Sequence, residues 1–189
     1  MVVPPTALDL LRKSLRVRRQ AAVKYNRKSS FLICPQWLDM LQGAKAIGLY
    51  LPMNGEPDPL PLITGYSGVM SLPALSGQSF MTFQRWSPGD TLMASSWGGE
   101  QPIESADEIL PDLVIVPLLG FDASFNRIGQ GGGHYDRYLA AHPSAWRVGL
   151  AWEAQRVDAI EAQPWDVPMD AILTEADFYI KDLTRCQRL

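Results

Sequence analysis

The 189-residue chain has only two cysteines, Cys34 and Cys186, and neither belongs to a CxxC pair. A zinc site or a disulfide framework is therefore not expected, since both need clustered or paired cysteines. No apolar run approaches the roughly 18 residues that a membrane-spanning helix requires. Residues 1–5 lack the basic start and apolar core of a signal peptide. We expect a soluble, cytoplasmic protein without membrane contact.

The chain also lacks an excess of positive charge. Its formal net charge is −3 at pH 7, whereas a broad nucleic-acid surface usually requires a basic excess. We therefore expect no nucleic-acid partner, although local basic clusters remain compatible with this charge. The length and the hydrophobic fraction of 47% are those of a globular chain. They predict one domain over residues 1–189, which we expect to be a monomer with at most weak dimerisation.

Apolar runs alternate with helix-like segments along the chain. This alternation predicts an α/β fold, a three-layer α/β/α sandwich around a mainly parallel mixed sheet. The run at 111–122 is the strongest strand candidate because it is continuously apolar. Residues 87–102 are rich in turn formers and predict a long loop. The other predicted strands are 45–53, 69–75, 80–86, 146–152 and 170–176, and the helical segments are 6–28, 35–44, 58–68 and 134–142.

The first helical segment carries two kinds of residue at helical spacing. Its apolar positions are Leu8, Leu11, Leu15 and Ala22, and its arginines on another face are Arg12, Arg16 and Arg19. A solvated basic face is one interpretation of these arginines. Contact between one or two of them and an anion is the other.

The segment RIGQGGGHYDRYLAAH, residues 127–142, places four glycines within five positions just before a predicted helix. Glycine allows positive φ, so successive N–H groups can face one point and bind an anion at the helix start. No Lys-Ser or Lys-Thr pair follows, as a P-loop requires, and His134 occupies the third glycine position of a dinucleotide fingerprint. Phosphate binding and a purely structural turn both remain open for the glycines alone.

Charged residues flank this loop. Arg127 can form a forked contact with phosphate. Asp136 lies in the first helical turn, where it either suits the helix dipole or binds Mg²⁺. With Arg137 directly after it, the pattern favours nucleotide-phosphate chemistry over a mere turn.

The segment 114–140, VIVPLLGFDASFNRIGQGGGHYDRYLA, resembles the signature of the 5-formyltetrahydrofolate cyclo-ligase family, also called methenyltetrahydrofolate synthetases. That signature runs from an apolar strand ending in proline, through Phe-Asp and Arg-φ-Gly-x-Gly-x-Gly, to Tyr-Tyr-Asp. Further segments in the family's order and spacing are LRKSLRVRR, IGLYLPMNGEPDP, SLPALSGQSFMTFQRWSPGD and VPMDAILTEADFY. The resemblance covers most of the chain.

The resemblance implies a three-layer sandwich fold and an ATP- and Mg²⁺-dependent enzyme. Such an enzyme converts 5-formyltetrahydrofolate into 5,10-methenyltetrahydrofolate and releases ADP and phosphate. The γ-phosphoryl group passes to the formyl oxygen, and N10 then attacks the activated carbon. Two alternatives are a non-catalytic relative that binds nucleotide or folate, and a sugar-phosphate isomerase on a similar scaffold.

Individual positions take their expected roles from the same resemblance. The ATP phosphates would be held by Arg12, Arg127, Gly129, Gln130, Gly131, Gly132, Gly133, His134 and Tyr135. The folate would contact Leu51, Met53, Glu56, His134 and Tyr135, with Trp86 or Trp97 as a stacking partner. The magnesium ligands would be Asp136 and Asp170. The catalytic residues would be Arg127, Tyr135 and Asp136.

Judged without the resemblance, several of these residues have ordinary structural interpretations. Asp170 can brace a strand end, and Glu56 can be a turn residue between glycine and proline. Leu51 and Met53 can belong to the core, and Trp86 can be a packed aromatic.

Two positions depart from the family pattern. Leu8 stands where a lysine is common, which puts the nucleotide contacts of the first helix in question. We expect Lys13 and Arg16 to point elsewhere and not to replace that lysine. His134 replaces the first tyrosine of Tyr-Tyr-Asp, which keeps a flat ring but adds a group that titrates near neutral pH.

Overall fold

The computed structural model describes residues 6–26, 31, 33–76 and 80–182. The helices in this part of the chain are α1 Ala7–Asn26, α2 Pro35–Gly43 and α3 His134–Ala141, with 3₁₀ turns at Leu60–Ile63 and Glu153–Gln155. The strands are β1 Ala46–Gly48, β2 Val69–Ser76, β3 Phe80–Arg85, β4 Leu92–Ala94, β5 Glu100–Pro102, β6 Glu108–Ile109, β7 Leu113–Pro117, β8 Gly120–Phe121, β9 Arg127–Ile128, β10 Trp146–Leu150, β11 Ala171–Leu173 and β12 Phe178–Ile180.

Eight of these strands form one mixed sheet in the order β12-β11-β10-β7-β1-β2-β3-β6. The five strands from β11 to β2 run parallel to one another. The antiparallel strands lie at the two edges, as β12 on one side and β3 with β6 on the other. The predicted α/β class with a mainly parallel sheet is confirmed.

Helices cover both faces of the sheet, as the three-layer prediction requires. Along β7, Leu113 and Ile115 belong to one apolar cluster, whereas Val114 and Val116 belong to the other, because successive side chains of a strand point to opposite faces. The first cluster includes the buried face of α2, and the second includes the buried face of α3. The strongest predicted strand therefore lies within the sheet and is buried on both faces.

Two predicted segments differ from the structure. The loop prediction for 87–102 is wrong in part, because β4 and β5 pair there as a short hairpin. Turn-forming residues around Ser95 and Gly98 close that hairpin and conceal the two three-residue strands. The helical segment at 58–68 contains only the 3₁₀ turn at Leu60–Ile63, because its prolines lack the N–H groups that a longer helix needs.

Helix α1 packs through only part of its predicted apolar face. Leu15 and Ala22 are buried, whereas Leu8 and Leu11 are 41% and 36% exposed. Arg19 is 1% exposed, so the solvated basic face is the wrong interpretation for this residue. Within the described residues, no helix combines the length and the apolar character that crossing a membrane requires.

Candidate functional site

Loops that follow β1, β7 and β10 meet at the carboxyl edge of the parallel strands. Trp152 Nε1 donates to the Gly55 carbonyl at 2.9 Å, and Gln155 Nε2 donates to the Leu118 carbonyl at 2.8 Å. Helix α1 joins them through Gln20 Nε2, which donates to the Asn54 carbonyl at 2.7 Å. This edge is where open α/β sheets bind ligands.

The glycine loop ends at the start of α3 with a run of available N–H donors. Gly131 has φ +109°, and Gly133, the N-cap of α3, has φ +64°. Arg137 is the first residue whose N–H bonds back into the turn, to the Gly133 carbonyl. None of the other described residues accepts a hydrogen bond from the N–H groups of 131–136. Such donors at a helix N-terminus form an anion site.

Three arginines hold the outside of the glycine loop. Arg12 Nε donates to the Gly129 carbonyl at 3.2 Å, and Arg137 Nη2 donates to the Gly132 carbonyl at 2.9 Å. Arg16 Nη2 donates to Gln130 Oε1 at 3.1 Å. The expectation that Arg16 points elsewhere is wrong, because Arg12 and Arg16 are one helical turn apart and share a face. Lys13 is exposed on another face of α1.

Arg127 and Asp136 form a part-buried ion pair at the inside of the loop. Arg127 Nη2 lies 2.6 Å from Asp136 Oδ1, and the side chains are 5% and 23% exposed. The same Oδ1 accepts from the Val167 N–H at 3.1 Å, while Arg127 Nη1 donates to the Val167 carbonyl. Burial lowers the pKa of Arg127, and the charge of Asp136 opposes that shift. No described residue donates to Oδ2 of Asp136, so this oxygen keeps its capacity to bind a cation.

Glu56 lies in a turn, but its carboxylate is buried and fixed at both oxygens. Oε1 accepts from Arg19 Nη1 at 2.8 Å, and Oε2 accepts from the Met53 N–H at 3.0 Å. The side chains of Arg19 and Glu56 are 1% and 7% exposed. A plain turn residue needs no such ion pair, since burying two charges is costly unless they interact.

Tyr135 lies within electrostatic range of both Glu56 and Arg127. Its hydroxyl oxygen is buried and has no hydrogen-bond partner among the described residues. Burial and the charge of Glu56 raise the pKa of Tyr135, and the charge of Arg127 opposes this. The hydroxyl therefore stays protonated at neutral pH and can donate a hydrogen bond to a ligand.

His134 belongs to the glycine-loop side of the site. Its Nδ1 lies 3.1 Å from Arg137 Nη2. Burial, followed by the positive charge of Arg137, lowers the pKa of His134 from its ordinary value of 6.5. The imidazole is therefore neutral at pH 7.

The predicted apolar contacts separate into a wall of the site and a part of the core. Leu51 and Met53 are half-buried, and Leu51 packs against the apolar cluster on the α2 side of the sheet. A Cβ on Gly99 would lie 2.8 Å from the Trp97 ring and 2.9 Å from the Met53 sulfur, so the β4–β5 hairpin stands beside Met53. Trp86 is buried within the α2-side cluster, which matches its interpretation as a packed aromatic.

Asp170 lies at the amino ends of β10 and β11. Its carboxylate accepts from Arg147 Nε at 2.7 Å, Nη2 at 2.6 Å and the Arg147 N–H at 3.0 Å. The positive guanidinium of Arg147, held by this forked contact, disfavours a metal cation at the same carboxylate. Among the described residues, no group of three or more His, Cys, Asp and Glu side chains is placed to hold a metal ion.

The sequence interpretation missed Arg19 and Trp152 as site residues. The burial of Arg19 could have been predicted from its spacing. It lies one helical turn from both Leu15 and Ala22, which form the buried stripe of α1. Trp152, which fixes the turn containing Glu56, had no local signal because its partner Gly55 lies 97 residues away.

Gly131→Ala is expected to destabilise the fold by about 1–2 kcal/mol, because a residue with a Cβ is strained at positive φ. Gly129→Ala is the matched control: φ of Gly129 lies outside the left-handed region, and a Cβ there would meet nothing within 4 Å. Urea unfolding of both variants measures the difference. Equal stability of the two variants would contradict the strained geometry.

Comparison with known proteins gives one consistent result. The model of the 5-formyltetrahydrofolate cyclo-ligase family matches residues 6–175. A 5-formyltetrahydrofolate cyclo-ligase of Haemophilus influenzae is 33% identical over 141 residues, covering 69% of this chain and 75% of that protein. The Escherichia coli K12 protein of the same name is 31% identical, covering 69% and 78%. The solved 5,10-methenyltetrahydrofolate synthetase of Aquifex aeolicus superposes with a TM-score of 0.73 at 25% identity, covering 94% of each chain.

Proposed function

Because this chain belongs to the 5-formyltetrahydrofolate cyclo-ligase family, we propose that it converts 5-formyltetrahydrofolate into 5,10-methenyltetrahydrofolate with ATP and Mg²⁺, releasing ADP and phosphate. The observation that carries the proposal is the junction at Tyr135. The glycine loop, whose N–H groups at 131–136 donate to none of the described residues, lies on one side of it, and the buried carboxylate of Glu56 lies on the other. Cyclisation driven by a nucleotide needs two such subsites side by side.

The glycine loop suits the triphosphate of ATP. The N–H groups of 131–136, which have no acceptor among the described residues, and the positive end of α3 favour phosphate oxygens. Arg12, Arg16 and Arg137 add positive charge around the loop while they hold its carbonyl and side-chain oxygens. Arg12 and Arg16 would bring positive charge from α1 to the glycine loop, although Leu8 stands where the family commonly has a lysine. The absence of that lysine therefore does not favour a non-catalytic relative.

The Glu56 side suits the folate. A buried carboxylate can accept hydrogen bonds from the amino and ring N–H groups of a pterin, which is how Glu56 would orient the ring. Leu51 and Met53 would supply apolar contacts to its faces. Trp97 would be the stacking aromatic, since Trp86 is packed in the core.

Arg127 and Tyr135 would act on the reacting atoms between the two subsites. The formyl oxygen is a poor leaving group. Transfer of the γ-phosphoryl group to this oxygen would let it leave as phosphate when N10 attacks the formyl carbon and closes the ring. Arg127 would neutralise charge on the transferred phosphoryl group, and the Tyr135 hydroxyl would hold the formyl group in place. Such a reaction depends mainly on positioning and charge neutralisation.

Mg²⁺ would sit beside the phosphates and reduce their charge. Mg²⁺ is usually held by one or two carboxylates together with phosphate oxygens and water. Asp136, with Oδ2 available, fits this pattern without an all-protein cage. Asp170 remains a proposed second ligand, although the positive guanidinium of Arg147 disfavours a cation there.

Two matched variants separate the proposed metal ligands. Asp136→Asn is expected to raise the Mg²⁺ concentration needed for half-maximal activity by about 10- to 100-fold, because a direct carboxylate ligand is lost. Asp170→Asn is expected to change this concentration less than Asp136→Asn and to lower the unfolding midpoint, because it weakens the contact with Arg147. Magnesium titrations of steady-state rates measure both. The reverse order of the two effects would make Asp170 the main ligand.

The proposed function is tested by following methenyltetrahydrofolate absorbance after mixing the purified protein with 5-formyltetrahydrofolate, ATP and Mg²⁺. Product is expected only in the complete mixture. Nucleotide binding without product would instead indicate a non-catalytic relative. We also propose that the protein works in the cytoplasm as a monomer.

A further inference from the structure

Arg19 carries a buried hydrogen-bond donor that has no partner in the part of the chain that the structure describes. Its Nη1 pairs with Glu56, but its Nε–H is buried and donates to none of the described residues. Leaving a buried donor unpaired costs free energy, so such a group needs an explanation. Because the same guanidinium contacts Glu56, a residue of the proposed folate subsite, an acceptor on the ligand would explain this donor.

The donor lies next to unused acceptor capacity. Nε is two covalent bonds from the Nη1 that contacts Glu56, within one planar guanidinium group. Each oxygen of Glu56 accepts one hydrogen bond from the protein, from Arg19 or from the Met53 N–H. A carboxylate can accept more than these two. A ligand beside this pair could therefore donate hydrogen bonds to Glu56 and accept one from Arg19.

We propose that Arg19 determines specificity by donating through Nε to the 4-oxo group of the pterin, while Glu56 accepts from the neighbouring N–H groups. The proposal rests on the proposed function. A 2-amino-4-oxo ring presents N–H donors beside a carbonyl acceptor, which complements the Arg19–Glu56 pair. A 2,4-diamino ring presents an amino group where the carbonyl would be, so Nε–H stays unpaired. Polar sites of this kind reject ligands that lack the matching group.

Arg19→Lys tests the proposal directly, because lysine keeps the charge but places a methylene where arginine has Nε. Calorimetric titration without ATP gives the dissociation constants of 5-formyltetrahydrofolate and of a 2,4-diamino folate analogue. In the wild type, the 4-oxo ligand is expected to bind about 10- to 100-fold more tightly than the diamino analogue. In Arg19→Lys, that ratio is expected to fall about 10-fold through weaker binding of the 4-oxo ligand.

Arg18→Lys is the matched control on the same helix, because Arg18 is exposed and, among the described residues, its one hydrogen bond is a long contact of 3.4 Å to the Arg156 carbonyl. It should leave the ratio unchanged. An equal loss of affinity for both ligands in Arg19→Lys would show a merely structural role and overturn the proposal. So would a wild type that binds both ligands equally, a result that does not depend on the variant folding. A wild type that binds neither ligand would instead refute the proposed function, and this proposal with it.

Discussion

Arg127→Met is expected to lower kcat/KM for cyclisation by about 10³-fold, the scale found when a cation that neutralises a transferred phosphoryl group is lost. Arg127 is 5% exposed and contacts Asp136 at 2.6 Å, so bulk solvent has little access to screen the charge that Arg127 would neutralise. The loss should fall mainly on kcat, because the charge acts most strongly where the phosphoryl group is transferred. Steady-state kinetics at saturating Mg²⁺ measure the effect.

Arg137→Met is the comparison for this prediction. Arg137 lies in the first turn of α3, is exposed and donates to the Gly132 carbonyl of the glycine loop. Its removal should weaken ATP binding and change kcat by less than about 10-fold, because solvent screens an exposed charge. Since Arg127→Met also leaves Asp136 without its ion pair, urea unfolding of this variant distinguishes lost folding from lost chemistry. A folded Arg127→Met with near-normal kcat would contradict the role of this arginine.

Glu56→Gln is expected to impair both folding and folate binding. It leaves the Arg19 guanidinium, 1% exposed, without a counter-charge, and breaking a buried ion pair costs about 3 kcal/mol or more. The KM for 5-formyltetrahydrofolate should rise about 100-fold, because an amide presents a donor where the carboxylate presented an acceptor. The KM for ATP should change little, since the glycine loop is not altered.

Asp107→Asn is the matched control for Glu56→Gln. Asp107 pairs with Arg85 at 3.6 Å with both side chains largely exposed, and such pairs contribute less than about 1 kcal/mol. Urea unfolding and substrate titrations of both variants give the comparison. Equal stability of the two variants would contradict the buried ion pair, and an unchanged KM for 5-formyltetrahydrofolate in Glu56→Gln would contradict the role of Glu56 in folate binding.

Much of the sheet was predictable because burial leaves a local pattern. The continuous apolar run around β7 indicated a strand buried on both faces, and β7 is such a strand. The β4–β5 hairpin was not predictable, because its strands have three residues each and its glycines favour a loop. Short strands are stabilised by their neighbours and leave little periodicity of their own.

The site was partly predictable for the same reason. Asp136 follows the last glycine of the loop by three residues, so the sequence alone indicated that they lie close together. Arg19 and Glu56 pair across 37 residues, so helical spacing could indicate that Arg19 shares the buried stripe of α1 but could not identify its partner. The resemblance predicted Asp170 as a magnesium ligand, but the sequence does not indicate that its carboxylate pairs with Arg147.

The proposed transfer of the γ-phosphoryl group to the formyl oxygen is tested most directly by labelling that oxygen. 5-Formyltetrahydrofolate labelled with a heavy isotope at this oxygen is turned over with ATP and Mg²⁺, and the released phosphate is examined by mass spectrometry. If the triphosphate on the glycine loop meets the folate at Tyr135, each phosphate carries one labelled oxygen, and ADP and methenyltetrahydrofolate form in equal amounts. Unlabelled phosphate, or methenyltetrahydrofolate formed without ADP, would contradict the account.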